Sequence, residues 1–441
     1  MIKINFPTAA SQAKLIKRPS ASFGVFSDEV KQIFNAVRLQ GDAAIKKYTF
    51  LFDKVKIENV QVTEGEIFNA IGLVSNELKA AIQLAKSNID QFHAAQKTIK
   101  VAVETMEGVF CWQEKRPIQS VGLYIPGGTA PLFSTVLMLA TPAKLAGCSE
   151  IILCTPPDSA GNVAPAILYA AALCGVKTIF KVGGIQAIAA MTFGTKKIPK
   201  VLKIFGPGNQ YVTHAKQWAT QYGVAIDMPA GPSELLVVAD DSAVPAFVAS
   251  DLLSQAEHGV DSQVILVSNS IPLLEAVARE MRLQLKVLPR KKIAEKAIRK
   301  SKLIYIKNDS DALDFINQYA PEHLIICSKQ DHFYIDNIQN AGSVFIGNYT
   351  PESAGDYASG TNHTLPTNGY AKNYSGVNLD SFLKTMTFQK ITPKGIQNIG
   401  KAIEIMAEAE GLHGHKNAVS LRLAALDEMP SSPVTTLKNA V

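Results

Sequence analysis

The chain has 441 residues, 47% of them apolar and 19% charged, with a formal net charge of +6. That length exceeds one core at roughly 100–200 residues per domain and calls for two or three domains. The apolar share excludes a disordered or fibrous chain, and so small a charge, scattered along the sequence, offers no cationic stripe for nucleic acid.

The amino terminus, MIKINFPTAASQAKLIKRPS, lacks an apolar core of signal-peptide length. The most apolar run, LFSTVLMLATPAKLAGC from Leu132, holds a Pro and a Lys and is too short to span a bilayer. The expectation is a soluble, cytoplasmic protein. Residues 27–98 read as helical, with NELKAAIQLAKSNIDQFHAAQK the clearest amphipathic piece. From about 120 to 234, β-rich runs alternate with apolar helical stretches: SVGLYI, EIILCT, KTIFKV, VLKIFG and GVAID. A second set follows: SELLVVA, SQVILVS, KLIYIK, HLIICS and GSVFIG. Strands alternating with crossover helices predict parallel, doubly wound sheets. The basic run LPRKKIAEKAIRK reads as a solvated helix face. After NLDSFLKTMTFQKITPKG the chain ends in two helices, IQNIGKAIEIMAEAEGL and HKNAVSLRLAALDEM, and a Ser/Pro tail. Their apolar faces have no strands to cover and must pack on the body or on another subunit. The five cysteines form no C-x-x-C pair, and four sit in or beside apolar runs, as reduced core thiols do.

Several polar clusters stand out against this scaffold. Glycine gathers at strand ends in YIPGGTAP, VGGIQA, GPGNQY and AGPSE, where backbone and helix N-termini can approach an anionic ligand. In LLSQAEHGVDSQ, Gln255 and His258 are three apart and share one helix face. The long segment PESAGDYASGTNHTLPTNG carries Asp356 and His363, and AEGLHGHKNAV carries Glu410, His413 and His415. APEHL sets Glu322 beside His323 directly after Pro321. Each cluster also has an ordinary reading as a tight turn, a surface histidine, a helix cap or a solvated turn. Five of the eight histidines nevertheless fall in them. Together they point to a site where imidazoles and carboxylates bind a divalent metal while Glu322 and His323 handle protons.

Taken in order, VGLYIPGG, VGGIQAIAA, IFGPGN, DMPAGPSE, DLLSQAEHG, APEHL, GDYASGTNH, AEGL and HKNAV resemble the motifs of histidinol dehydrogenases along essentially the whole chain. The resemblance implies one zinc per subunit, held by Gln255, His258, Asp356 and His415. It assigns His323 as the base for the substrate hydroxyl and Glu322 as the group that activates water. It maps substrate contacts to Ser233, Gln255, His258, Glu322, His323, Asp356, His363, Glu410 and His415, and NAD contacts to Tyr124, Gln186 and Asn209. The implied reaction is oxidation of L-histidinol through L-histidinaldehyde to L-histidine with two NAD+, the last step of histidine biosynthesis. It also implies a homodimer whose terminal helices lend Glu410 and His415 to the neighbour's site, with no nucleic-acid or membrane partner.

The fold so implied is α/β: two doubly wound (Rossmann-like) parallel-sheet domains with a helical N-terminal arm and a C-terminal helical tail. Its division is an arm over 1–22, a discontinuous domain of 23–119 with 235–377 carrying metal and catalytic residues, an NAD-contacting domain over 120–234, and a dimerisation tail over 378–441. The dinucleotide fingerprint G-x-G-x-x-G is absent, as in the family, and His413 competes with His415 as a ligand. A zinc hydrolase using metal-bound water, or a dehydrogenase of another amino alcohol, remains the alternative. A thiol route to the acid is disfavoured, because only Cys327 lies near a polar cluster and it sits on an expected buried strand.

Overall fold

The computed structural model describes residues 1–5, 14–18, 27–127 and 131–428. Much of the expected arm over 1–22, three residues of the YIPGGTAP turn and the Ser/Pro tail lie outside the described residues. The chain divides into two compact units, Met1–Lys97 with Pro117–Phe382, and Thr98–Arg116 with Leu383–Val441.

The larger unit starts with strand β1 (Ile2–Asn5) and four helices, α1 (Ser27–Gln40), α2 (Asp42–Asp53), α3 (Glu64–Leu73) and α4 (Asn76–Ala94). In α1, Val30, Ile33, Phe34 and Val37 are buried, the stripe of an amphipathic helix. A capping box between Thr63 and Glu66 opens α3, and Ser75 caps α4. The smaller unit contributes the next two strands, β2 (Ala102–Met106) and β3 (Val109–Pro117).

The first α/β repeat then runs β4 (Ser120–Tyr124), α5 (Phe133–Ala146), β5 (Glu150–Thr155), α6 (Pro165–Leu173), β6 (Thr178–Lys181), α7 (Gly184–Phe193), β7 (Lys203–Phe205), α8 (Gln210–Ala219) and β8 (Ala225–Ile226). Its sheet is wholly parallel in the order β6-β5-β4-β7-β8. The buried faces of α3 and α4 join one apolar cluster on this sheet, with Val121, Leu123 and Leu153. Those of α1 and α2 join the other, with Ile152 and Ile204.

The second repeat runs β9 (Glu234–Ala239), α9 (Pro245–Ala256), β10 (Gln263–Ser268), α10 (Ile271–Val287), α11 (Lys291–Arg299), β11 (Lys302–Tyr305), α12 (Asp309–Tyr319), β12 (His323–Cys327), α13 (Asp331–Asn337) and β13 (Ser343–Ile346), followed by the short helix α14 (Glu352–Tyr357). The sheet order is β1-β11-β10-β9-β12-β13. Counted within each repeat, both sheets wind 3-2-1-4-5, so each has one switch point, at β4/β7 and at β9/β12. Every residue of β9 and β10 is buried, as a parallel sheet covered on both faces requires. The basic run expected to be a solvated face is α11, which buries only Ala294 and Ala297.

Within the smaller unit, β2 and β3 join β14 (Leu383–Ile391) in a three-stranded sheet of order β14-β3-β2. The expected terminal helices follow as α15 (Pro393–Ala409) and α16 (His413–Asp427), packed on each other through Gly400 and Leu423. Among the described residues, no helix is long and apolar enough to cross a membrane.

Gly206 marks the tightest approach at the β4/β7 switch point. Its φ is +130°, and a Cβ there would meet the Tyr124 carbonyl oxygen at 2.0 Å. We expect Gly206→Ala to destabilise the protein by about 2 kcal/mol or more, measured by chemical denaturation, because backbone must yield rather than a side chain.

Candidate active site

Two features lie at the two switch points. At the carboxyl ends of β4, β5 and β6, a cavity of about 740 Å³ is lined by Tyr124, Thr155, Gln186 and Asn209, among others. This is where an open α/β sheet holds ligands. The Tyr124 hydroxyl accepts the Gly184 N–H at 3.1 Å, at the start of α7. Burial pushes its pKa up to about 12, so it stays a phenol. Gln186 is fully buried with neither end of its amide paired. Asn209 caps α8 by accepting the Val212 N–H at 3.1 Å, which turns that helix N-terminus toward the cavity. Glu29, Asp53 and Asp158 also line it, and burial raises Asp53 to about 6.

The APEHL pair lies elsewhere, at the amino ends of β9 and β12 in the six-stranded sheet. Helix α9 ends at Ala256 with Gln255 in its last turn, and His258 follows just beyond it, near Asp356 and His323, while α14 carries Glu352 and Asp356. Glu322 Oε2 accepts the Glu234 N–H at 2.9 Å. His323 Nδ1 lies 3.3 Å from the Glu234 carbonyl oxygen and 3.7 Å from both Glu322 Oε2 and Glu352 Oε1. Its Nε2 is 3.7 Å from Asp356 Oδ1 and is buried without a hydrogen bond. The Ser343 N–H donates to the Glu322 carbonyl and the Gly342 N–H to that of Pro321, both at 2.9 Å. A Cβ at Gly342 would stand 2.5 Å from the Glu322 carbonyl oxygen, so this turn closes only on glycine.

Burial raises the Glu322 pKa to about 8, even with the His323 imidazole beside it. Burial works against charge on His323, but Glu322, Glu352 and Asp356 outweigh it and raise the imidazole to about 10. Burial likewise pushes Glu352 well up, whereas for Asp356 the facing His323 imidazole overcomes burial and holds the carboxyl below its ordinary value.

The remaining expected residues sort plainly. Gln255 is fully buried with both amide atoms unpaired, and His258 is open to solvent. His363 Nδ1 donates to the Asp356 carbonyl at 2.9 Å and its Nε2 meets the Thr135 hydroxyl at 3.1 Å. Burial lowers its pKa, which favours the neutral ring. The Ser233 carbonyl accepts the Gln263 N–H at 3.2 Å, next to Glu234. Glu410, His413 and His415 belong to the smaller unit and are exposed there. Among the described residues, no three His, Cys, Asp or Glu converge as a metal requires. Cys327 lies on β12, where burial pushes its thiol up to about 12, a poor nucleophile. The sequence reading missed Glu352, because a carboxylate in the first turn of a helix is commonplace.

A large cavity on one sheet and a buried cluster of titratable side chains on the other are the features by which an α/β active site is recognised. A family model for histidinol dehydrogenase matches residues 16–423. The histidinol dehydrogenase of Bacteroides thetaiotaomicron is 59% identical over 423 residues, covering 96% of this chain and 99% of that one. That of Escherichia coli O6:H1 is 51% identical over 431 residues, 97% of this chain and 98% of its own. The crystal structure of histidinol dehydrogenase from Elizabethkingia anophelis matches with a TM-score of 0.95 at 57% identity, covering 97% of this chain and 99% of that chain. The chain belongs to the histidinol dehydrogenase family and is thereby an oxidoreductase.

Glu322 and His323 both bind protons more tightly in the folded chain than at their ordinary values of 4.5 and 6.5. The stability each confers is complete below its ordinary value and is lost as pH rises through 8 for Glu322 and 10 for His323. We expect the melting temperature of the chelator-treated chain to fall steadily between about pH 6 and 9, and Glu322→Gln to flatten the lower half of that decline. Calorimetry across pH measures both.

Proposed function

We propose that the chain is a cytoplasmic, zinc-dependent histidinol dehydrogenase. It oxidises L-histidinol through L-histidinaldehyde to L-histidine with two NAD+, the last step of histidine biosynthesis. The observation that carries this reading is the buried set of Glu322, His323 and Asp356, with the His323 Nε2 facing Asp356 and left without a hydrogen bond.

The donors fit zinc. Gln255 offers a buried amide oxygen, His258 an imidazole and Asp356 an ionised carboxylate, with His415 lent by a second copy of the chain as fourth. Bound zinc would anchor the substrate's imidazole and amine, and NAD+ would accept the hydride. Everything else falls to the chain's own side chains. With its Nδ1 turned to the Glu234 carbonyl, His323 presents Nε2 to the substrate, and the ring takes the hydroxyl proton in its neutral form, which the surrounding carboxylates hold back to high pH. In the second half, Glu322 takes a proton from the water that adds to the aldehyde carbon, a role suited to a buried carboxyl of raised pKa. His363, neutral and fixed by two hydrogen bonds, holds the substrate with Ser233, Glu410 and His415. Tyr124, Gln186 and Asn209 share one cavity, which supports their assignment to NAD, and the carboxylates of Glu29, Asp53 and Asp158 disfavour an additional phosphate.

A homodimer is part of the reading. Ile405, Met406, Leu412 and Leu421 on and between α15 and α16 are exposed within one chain, which supports their packing on a partner.

The decisive assay supplies limiting L-histidinol with excess NAD+ and counts NADH. We expect two NADH per substrate, lost on chelation and restored by zinc. None at all would favour the hydrolase alternative. His323→Asn should slow alcohol oxidation, and Glu322→Gln should slow aldehyde oxidation selectively, each by roughly 10²–10⁴-fold. Mixing inactive Glu322→Gln and His415→Asn chains, with exchange of subunits, should restore about a quarter of wild-type activity, since only one site in four is then intact. No recovery would place His415 in its own chain's site.

A further inference from the structure

Beyond β1, residues 14–18 are described in the amino-terminal arm, and Leu15 and Ile16 rest on the apolar cluster that holds Phe315, Tyr319 and Leu324. Arg18, at the end of this segment, is turned inward with its side chain only 12% exposed. Its guanidinium lies 3.8 Å above the Tyr319 ring. Nε donates to Glu234 Oε2 at 2.7 Å. Nη2 donates to the carbonyls of Tyr319 at 2.5 Å and Ala320 at 3.3 Å, and Nη1 to that of Ile16 at 3.3 Å. One rigid fork thus joins the first residue of β9 to the turn that leads into β12.

Both ends of that fork bear on the proton-handling pair. Glu234 supplies the N–H that holds the Glu322 carboxylate and the carbonyl that faces His323 Nδ1. Ala320, buried and two residues before Glu322, sits in the left-handed region at φ 51°, which a residue with a Cβ adopts only when its surroundings compel it. Its N–H is tied to the Ile316 carbonyl at 2.7 Å, and Arg18 ties the carbonyls on either side of that N–H. The contact extends to the long loop, since a Cβ at Gly369 would come within 3.2 Å of Nη1.

We propose that Arg18 is a positioning residue for Glu322 and His323. By bridging the amino ends of β9 and β12, its guanidinium sets the spacing at which the two side chains meet the reacting groups. The inference rests on the reaction proposed for this site. Lysine cannot substitute, because a single ammonium on a flexible stem retains the ion pair with Glu234 but does not reach the carbonyls of Tyr319 and Ala320 at the same time. A residue that merely anchored the arm would affect melting temperature without separating kcat from KM.

The test compares full-length wild type, Arg18→Ala and Arg18→Lys, loaded with zinc, for NADH formation from L-histidinol well below each melting temperature. We expect Arg18→Ala to lose about tenfold or more in kcat with KM for histidinol within about threefold, because displacement of the pair harms chemistry more than binding. Added ethylguanidinium should restore part of that kcat, and Arg18→Lys should fall between the two. A kcat of Arg18→Ala within about twofold of wild type overturns the proposal, as does a loss matched by KM or untouched by ethylguanidinium. If Arg18→Ala does not fold, Arg18→Lys decides: reduced kcat at unchanged KM supports the role, and wild-type kcat overturns it. Wild-type protein that forms no NADH would instead overturn the functional reading, and this inference with it.

Discussion

An imidazole surrounded by three carboxylates inside the protein is the constraint on which the rest of this structure depends. None of Glu322, His323 or Glu352 could be buried alone without heavy desolvation. Together with Asp356 they compensate one another, and the backbone of Glu234 holds Glu322 through its N–H and faces His323 Nδ1 with its carbonyl. That requirement accounts for the elements converging here: the return of α9, the short helix α14 laid back over the edge, and the glycine at 342 that lets β13 close on the Glu322 carbonyl. It also explains why the pair sits at strand starts, where successive backbone groups not yet engaged in the sheet can hold side chains in place.

The two sheets share one winding order and use opposite ends. In the five-stranded sheet the carboxyl ends open into the large cavity. In the six-stranded sheet the corresponding crevice is filled from within. Asp240, just past β9, accepts the N–H and hydroxyl of Ser242, the Ser328 hydroxyl at 2.9 Å and the Lys329 N–H at 2.7 Å. The space left beside it is about 10 Å³, room for no more than a water. A carboxylate anchored by four donors occupies the position where a phosphate would otherwise be bound. The buried titratable residues lie at the far edge instead, so the same repeat leaves an open cavity at one end in one copy and a buried polar cluster at the other end in the other.

The ten strands of the two repeats were legible because buried parallel strands are written as short apolar runs between glycines, and all ten appear where those runs occur. Strand β1 was not legible, since four residues at a terminus are too few to show alternation. Neither were β2, β3 and β14, whose exposed, charged residues carry no apolar period. At the site, Glu322, His323, Gln255 and Asp356 stood out through residue type and neighbours, while Glu352, Glu234 and Arg18 did not. Glu234 and Arg18 matter through pairings over more than 80 and 200 positions, Glu234 with Glu322 and Arg18 with Glu234, and no local pattern records such pairings.

The left-handed Ala320 sets stability against accuracy within a single residue. Glycine would relieve roughly 1 kcal/mol of backbone strain there, so a search for stabilising substitutions would favour it. Yet glycine also widens the conformations open to a turn whose stiffness, with Pro321 next in line, orients Glu322 and His323. An engineer who raised the melting temperature at this residue would be trading away geometry, and selection for turnover would hold an alanine where folding alone prefers none.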